Sequence, residues 1–201
     1  MADTRRLTIR PLERDDWPLV EQLFGTRGAC AGCWCMEMRN PRGTRLEDVQ
    51  GEPNRAALRA LVQADRVHAL LALDADGEPR GWCSLGPRAD FPKLLGSRVM
   101  RSDAGDTPWA VVCFFIPATE RGAGLGQRLL KAAVELARAR GAPALEGYPV
   151  NTAGRDGKPY PASFAFVGVP QLFERAGFRD VTPDGQARPV YRRTFRRTRG
   201  R

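Results

Sequence analysis

Residues 109–126 read Trp109-Ala110-Val111-Val112-Cys113-Phe114-Phe115-Ile116-Pro117-Ala118-Thr119-Glu120-Arg121-Gly122-Ala123-Gly124-Leu125-Gly126. The first eight form the most continuous apolar run in the chain. A run of that length, stopped by Pro117, fits a central strand buried on both faces. From Gly124 to Arg140 the pattern turns helical. Leu125, Leu129, Ala133, Leu136 and Ala137 share one face, and Gln127, Arg128, Lys131, Glu135 and Arg138 take the other. Gly141 ends that helix, with Pro143 beyond it. The glycine-rich link therefore opens a helix directly after a buried strand. Backbone N–H groups at a helix start lack intrahelical partners, the helix dipole adds positive charge, and glycines leave the approach open. Together they suit a phosphate or pyrophosphate, with Arg121 at the rim. The plain alternative is a tight turn that simply needs glycine.

Upstream, Leu7–Arg10 alternates as a short strand and Arg14–Phe24 has helical spacing. Asn54 is a candidate cap for a helix reaching Gln63. Val67–Leu73 and Arg80–Leu85, joined by Asp74-Ala75-Asp76-Gly77, read as a hairpin. Gly86–Pro108 is polar and irregular. Downstream come a strand at Ala144–Glu146, an irregular stretch from Gly147 to Gly168, a helix over Val169–Ala176, and strands at Gly177–Val181 and Pro189–Phe195.

Two phosphate-loop patterns compete. The Walker pattern needs Lys-Ser or Lys-Thr after its last glycine, but Gln127-Arg128 follows here. The dinucleotide pattern needs Gly-x-Gly-x-x-Gly, whereas the spacing is Gly122-x-Gly124-x-Gly126. Glu146, about 20 residues on, keeps the second alternative open. The loop lies mid-chain, however, and a dinucleotide unit is expected to open its domain.

Arg121-x-x-Gly124-x-Gly126, placed between strand and helix, resembles the acyl-CoA signature of the GNAT N-acetyltransferase superfamily. Phe173-Glu174-Arg175-Ala176-Gly177-Phe178 is similar to that family's late helix ending in Gly-Phe, and the order of elements fits along nearly the whole chain. The resemblance implies an α/β fold with a central mixed, mostly antiparallel sheet, splayed in the middle and flanked by helices. It implies acetyl-CoA as co-substrate, with Phe115 and Ile116 pairing with the pantetheine arm. Arg121, Gly122, Ala123, Gly124, Leu125, Gly126 and Gln127 would form the rest of the cofactor site. The reaction implied is direct attack of an amine on the thioester in a ternary complex. The acceptor expected is a primary amine of a small molecule or peptide.

The family pattern is incomplete. Many members place a Tyr four residues before the Gly of Gly-Phe; here that position is Phe173. An acidic residue common on the central strand is replaced by Cys113-Phe114-Phe115. The catalytic candidates are then Glu146 as base, with Tyr148 and Tyr160 as proton donors. Each also has a structural reading, Glu146 as a strand-end carboxylate paired with arginine. Cys30-Ala31-Gly32-Cys33-Trp34-Cys35-Met36 allows three readings. Zinc wants four ligands, and His68 and Cys83, the only further partners, lack motif spacing, so no metal is expected. A reactive thiol has no base signature beside it. The preferred reading makes Cys33, Trp34, Cys35 and Met36 a wall of the acceptor pocket, as that segment often is in the family.

Length and composition set the remaining bounds. The chain has 201 residues, 42% hydrophobic and 27% charged, which excludes collagen-like, coiled-coil and wholly disordered chains. One domain over residues 1–196 is expected, followed by a basic tail at 197–201. No apolar run reaches membrane-span length, no signal peptide is read at the start, and five cysteines fit a reducing interior, so the expected compartment is the cytoplasm. Residues 192–201 hold six arginines, whose removal takes the net charge from +9 to +3. Nucleic acid is therefore not an expected partner, and neither is a membrane; a homodimer is left open. The rival functions are a catalytically silent acyl-CoA-binding module of the same fold and a polyanion-binding protein using the arginine tail.

Overall fold

The structure is a computed structural model that describes residues 7–105, 107–150 and 166–195. Strand β1 (Thr8–Pro11) leads through a 3-10 turn at Arg14–Asp16 into helix α1 (Trp17–Phe24). A turn-rich loop then reaches α2 (Leu46–Val49) and α3 (Glu52–Gln63). Strands β2 (His68–Leu73) and β3 (Pro79–Pro87) form the expected hairpin, in whose turn Asp74 accepts hydrogen bonds from the N–H groups of Asp76 and Glu78. After a short α4 (Pro92–Leu95) come β4 (Trp109–Phe115), α5 (Leu125–Ala139) and β5 (Ala144–Gly147). Helix α6 (Pro170–Glu174), β6 (Arg179–Asp180) and β7 (Tyr191–Thr194) complete the order.

The seven strands form one sheet in the order β1-β2-β3-β4-β5-β7-β6. Only β4 and β5 are parallel, so the expected mixed, mostly antiparallel α/β sheet is what the chain forms. Each face carries a core. One joins α1, α3 and the 25–40 loop through Trp17, Phe24, Trp34, Leu58 and Trp82. The other joins α5 and α6 through Leu125, Leu129, Leu130, Leu145 and Phe173.

Strand β4 is buried along nearly its whole length, as its apolar run predicts. Its alternation slips once. Trp109, Val111 and Phe114 face the α5 core, while Ala110, Val112 and Cys113 face the α1 core. Across the sheet Ser84 opposes Cys113 and Leu85 opposes Val111, so Val112 is the extra residue of a β-bulge. On the other edge β5 pairs with Trp109, Ala110 and Val111 and then stops. Beyond Val111 the two parallel strands part, which is the predicted splay.

Three expectations shift. Helix α3 starts ahead of Asn54 because Pro53, lacking an N–H, fits a helix's first turn. Asn54 is instead buried, accepting a hydrogen bond from Asn40 and donating to the Gly32 carbonyl. The buried stripe of α5 also takes in Leu130 and Val134, because the helix packs across β1, β2, β3 and β5. The irregular stretch after Gly86 contains a 3-10 turn at Arg88–Asp90 and α4.

Gly147, where β5 ends, lies against the fully buried Phe173 ring; a Cβ there would come within 2.0 Å of Phe173 Cε1. Overpacking of this kind costs about 1–3 kcal/mol. Urea unfolding of Gly147→Ala is expected to show that loss, and adding Phe173→Leu is expected to recover part of it.

Candidate active site

The splay and the helix start beyond it form the first part of the site. After β4, Arg121 Nε donates to the Ile116 carbonyl at 2.9 Å and ties the strand's end to the glycine loop. Gly122 and Gly124 have left-handed backbones, φ 81° and 80°, and a Cβ at either would meet nothing within 4 Å. The Gln127 and Arg128 N–H groups return to the Gly124 carbonyl. The N–H groups ahead of them are the orphan donors that every helix start carries. Ile116 and Leu172 lie 3.6 and 3.8 Å from a Cβ built at Gly126, so strand end and helix start are closely packed there. The side-chain Nε2 of Gln127 is buried with no hydrogen-bond partner among the described residues. Phe115 is half-buried against the α1 core. The predicted cofactor residues are thus brought to one place, around an open helix start.

The second part is a buried ionic network. Glu146 is wholly buried. Its Oε1 accepts from Ser102 Oγ and Arg192 Nε, both at 2.7 Å. Its Oε2 accepts from the Tyr148 hydroxyl at 2.7 Å and from Arg88 Nη1 at 3.5 Å. Arg88 also bonds the Tyr148 oxygen and reaches the Met100 carbonyl at 3.1 Å, and Arg192 bridges on to Asp103. Burial and the Glu146 charge hold the Tyr148 hydroxyl well above its usual range, so it stays protonated as a donor. The network fastens the 97–105 loop to β5 and β7. Tyr160 and the 197–201 tail lie outside the described residues. Arg193 of the basic C-terminal run donates to the Ala176 carbonyl at 2.7 Å.

The third part is the cysteine loop. Trp34 is buried and stacks on Trp17 with centroids 6.0 Å apart. It also lines an open cavity of about 600 Å³ with Glu21, Glu52 and Arg55. Cys33 is half-buried, its thiol pushed up to about 11 by burial. Cys35 and Met36 are buried in the α1-side core, and the Trp82 indole donates to the Cys35 sulfur at 3.2 Å. Four non-glycine residues of this loop have positive φ: Ala29 at 65°, Ala31 at 48°, Trp34 at 45° and Cys35 at 54°. No group of three or more His, Cys, Asp or Glu placed to hold a metal ion occurs among the described residues.

Sequence reasoning missed Arg39, Arg88, Ser102 and the bond from Trp82 of β3 to Cys35. Arg192 was visible only as one charge of a basic tail.

A strand released at a bulge, followed by a glycine-floored helix start, defines an acyl-transferase architecture, and comparison with known proteins gives it a family. The sequence model of the acetyltransferase (GNAT) family matches residues 28–154, more than half of the chain, and the chain belongs to that family. A search among curated proteins finds no match. Solved structures with a similar fold include a GCN5-related N-acetyltransferase from Kribbella flavida, 18% identical, over 95% of this chain and 99% of that one, TM-score 0.55. An N-acetyltransferase from Staphylococcus aureus Mu50 is 13% identical over 94% and 98%, TM-score 0.52. The yncA protein of Salmonella typhimurium, solved with its cofactor acetyl-CoA, is 15% identical over 96% of each chain, TM-score 0.52. Among the described residues no helix is long and apolar enough to cross a membrane.

Replacing Glu146 by Gln would remove the buried carboxylate that Arg88 and Arg192 both bond. Breaking a buried pair in this way costs about 3 kcal/mol. Denaturant unfolding is expected to show that loss for Glu146→Gln, and about 2 kcal/mol for Tyr148→Phe, which removes the hydrogen bond to Glu146 and the one from Arg88.

Proposed function

We propose that this acetyltransferase moves the acetyl group of acetyl-CoA to a primary amine of a small molecule or peptide, by direct attack in a ternary complex. The observation that carries the reading is the parting of β4 from β5 at Val112, opposite an open glycine cradle at the start of α5. The β4 edge that β5 leaves carries the backbone groups of Phe115 and Ile116, suited to the amides of the pantetheine arm. The N–H groups from Arg121 to Gly126 suit the pyrophosphate, and Gln127 has a buried amide donor to spare. The acceptor side is the α1 face, walled by Cys33, Trp34, Cys35 and Met36. The cavity along Trp34 carries Glu21 and Glu52 against one Arg55, a balance that favours a cationic amine on approach. Glu146 and Tyr148 shape the cleft by anchoring its 97–105 wall.

A catalytically silent acyl-CoA-binding module is the second reading, favoured by one observation. Phe173 fills the usual tyrosine position with a fully buried ring that has no proton to give.

Calorimetric titration of acetyl-CoA tests the site. Wild type is expected to bind in the micromolar range. Gly124→Glu and Ala123→Glu each put a carboxylate into the pyrophosphate cradle and are expected to weaken binding at least about tenfold, or 1.4 kcal/mol. Ala123 is exposed and free of the left-handed backbone, so its variant controls for misfolding. Coenzyme A release against a panel of primary amines and short peptides then separates the two readings. Wild type that fails to bind acetyl-CoA at millimolar concentration overturns both.

A further inference from the structure

A second cavity lies away from the cleft, where β4 begins. Its volume is about 460 Å³, and it is lined by Arg39, Arg66, His68 and Asp90 with Leu61 and Pro87. Cavities of this size commonly hold small molecules. Pro87 pairs with Trp109, the first residue of β4, whereas the glycine loop follows that strand's last residue. The strand between the two places spans about 20 Å. Four separate elements meet at the cavity. Arg66 follows the end of α3, His68 opens β2, Asp90 closes the 3-10 turn after β3, and Arg39 comes from the loop between α1 and α2. Lys93 Nζ donates to Glu37 at 3.0 Å and ties α4 to the loop that carries Arg39.

Arg39 is the group that calls for a ligand. It is only 9% exposed. Its Nη2 lies 3.4 Å from Ser84 Oγ, and its guanidinium carbon lies 4.7 Å from the Phe91 ring centroid. Nε is buried with no hydrogen-bond partner, and Nη1 takes part in no hydrogen bond, among the described residues. No carboxylate forms an ion pair with it among those residues; Asp90 acts on it only at longer range. An arginine is almost never buried without a partner, because a cation out of water is costly unless paired. A neutral side chain would pack on Phe91 without that cost.

We infer that this cavity is a binding site for a small monocarboxylate, whose carboxylate pairs with Arg39 and whose apolar part rests on Leu61 and Pro87. Guanidinium and carboxylate match as planar groups that can share two hydrogen bonds. Charge narrows the class. Asp65, which also lines the cavity, faces Arg14 at 3.9 Å. Arg39 and Arg66 then stand against Asp90 alone, two positive charges to one negative, and the remainder suits a single negative charge on the ligand. A dianion such as phosphate would be opposed by Asp90 and by the carbonyl end of α3, which finishes at Gln63 beside the cavity. His68 stacks on Trp109 with centroids 4.7 Å apart, and burial, with Arg140 next, holds its pKa below the ordinary value. It faces the ligand as a neutral ring. No bond is made or broken at this site, and the inference does not depend on the transfer reading given above.

The chain has a single histidine and it lines this cavity, so the His68 ring protons report on the site directly. The test is proton NMR of the full chain, carrying no histidine tag, titrated with sodium butyrate against sodium chloride at equal ionic strength. Butyrate is expected to shift the His68 resonances saturably. The amine n-butylamine, of similar size and opposite charge, is expected to leave them in place, and inorganic phosphate to act more weakly than butyrate. Arg39→Met is expected to weaken butyrate binding at least about tenfold, the scale of one charged hydrogen bond. Arg39→Lys keeps the charge without the planar fork and is expected to fall between. Ala89→Glu puts a carboxylate at an exposed position of the cavity wall and is expected to weaken butyrate as well, so the test stands even where Arg39→Met fails to fold. Saturating acetyl-CoA is expected to leave the butyrate shift in place. A butyrate shift that does not saturate, or that n-butylamine or phosphate matches, overturns the inference. Unchanged butyrate affinity in Ala89→Glu or in folded Arg39→Met also overturns it. So does a shift abolished by acetyl-CoA, which would make the cavity part of the cofactor site.

Discussion

Strand β4 loses register with both neighbours at Val112, and the site is arranged around that break. On one edge the bulge makes Val112 an extra residue opposite β3; on the other, β5 ends its pairing at Val111. A bulge bends and twists the strand that carries it, and two parallel strands cannot stay paired once one bends away. The opening cannot simply close, because Gly147 ends β5 against the fixed ring of Phe173. Backbone polar groups left at a buried strand edge are expensive unless something pairs with them. An extended ligand bearing amides would meet that requirement, and the open loop at Gly122–Gly124 lies just past the strand's end.

The two faces of the sheet divide the work. The α5 face is apolar almost throughout and acts as a rigid floor, with Leu125, Leu129 and Leu130 buried against the strands. The α1 face holds most of the buried polar groups. Arg39 and Ser84 lie beneath the cysteine loop, and Arg88 and Glu146 with Tyr148 lie beneath the 97–105 loop. Buried polar groups are costly unless paired, so their collection on one side marks where the fold gives up hydrophobic packing for chemistry.

Much of the framework was legible because it depends on local patterns. The apolar run at 109–116, the helical stripe after Gly124 and the hairpin turn at Asp74–Gly77 each declare themselves within a few residues. The glycine-rich opening of α5 was legible for the same reason, since a helix start is a local object. What stayed hidden is non-local. A one-residue bulge leaves no trace in the run Val111-Val112-Cys113, because all three are apolar and buried whichever face they take. Asn54 reads as a cap by type, yet its partners Asn40 and Gly32 come from a loop without periodicity. Arg192 reads as tail charge until β7 pairs with β5 and carries it to Glu146. Cys35 shows no partner in its own stretch of sequence because Trp82, whose indole donates to its sulfur, arrives on β3.

The departures from the family pattern belong together. Position 173 lies in the α5-side core, where its ring touches Gly147 and Phe178, and a hydroxyl there would need a partner inside an apolar floor. The central strand carries a thiol where an acid is common, and that thiol faces the α1 core two positions before Phe115. A carboxylate at Cys113 would be buried in that core at a desolvation cost that a thiol avoids. The loss of hydroxyl and acid from their usual places thus fits what each face of the sheet packs at positions 173 and 113. Buried polar groups are concentrated on the α1 face of the sheet, and the α5 face is left to pack apolar side chains.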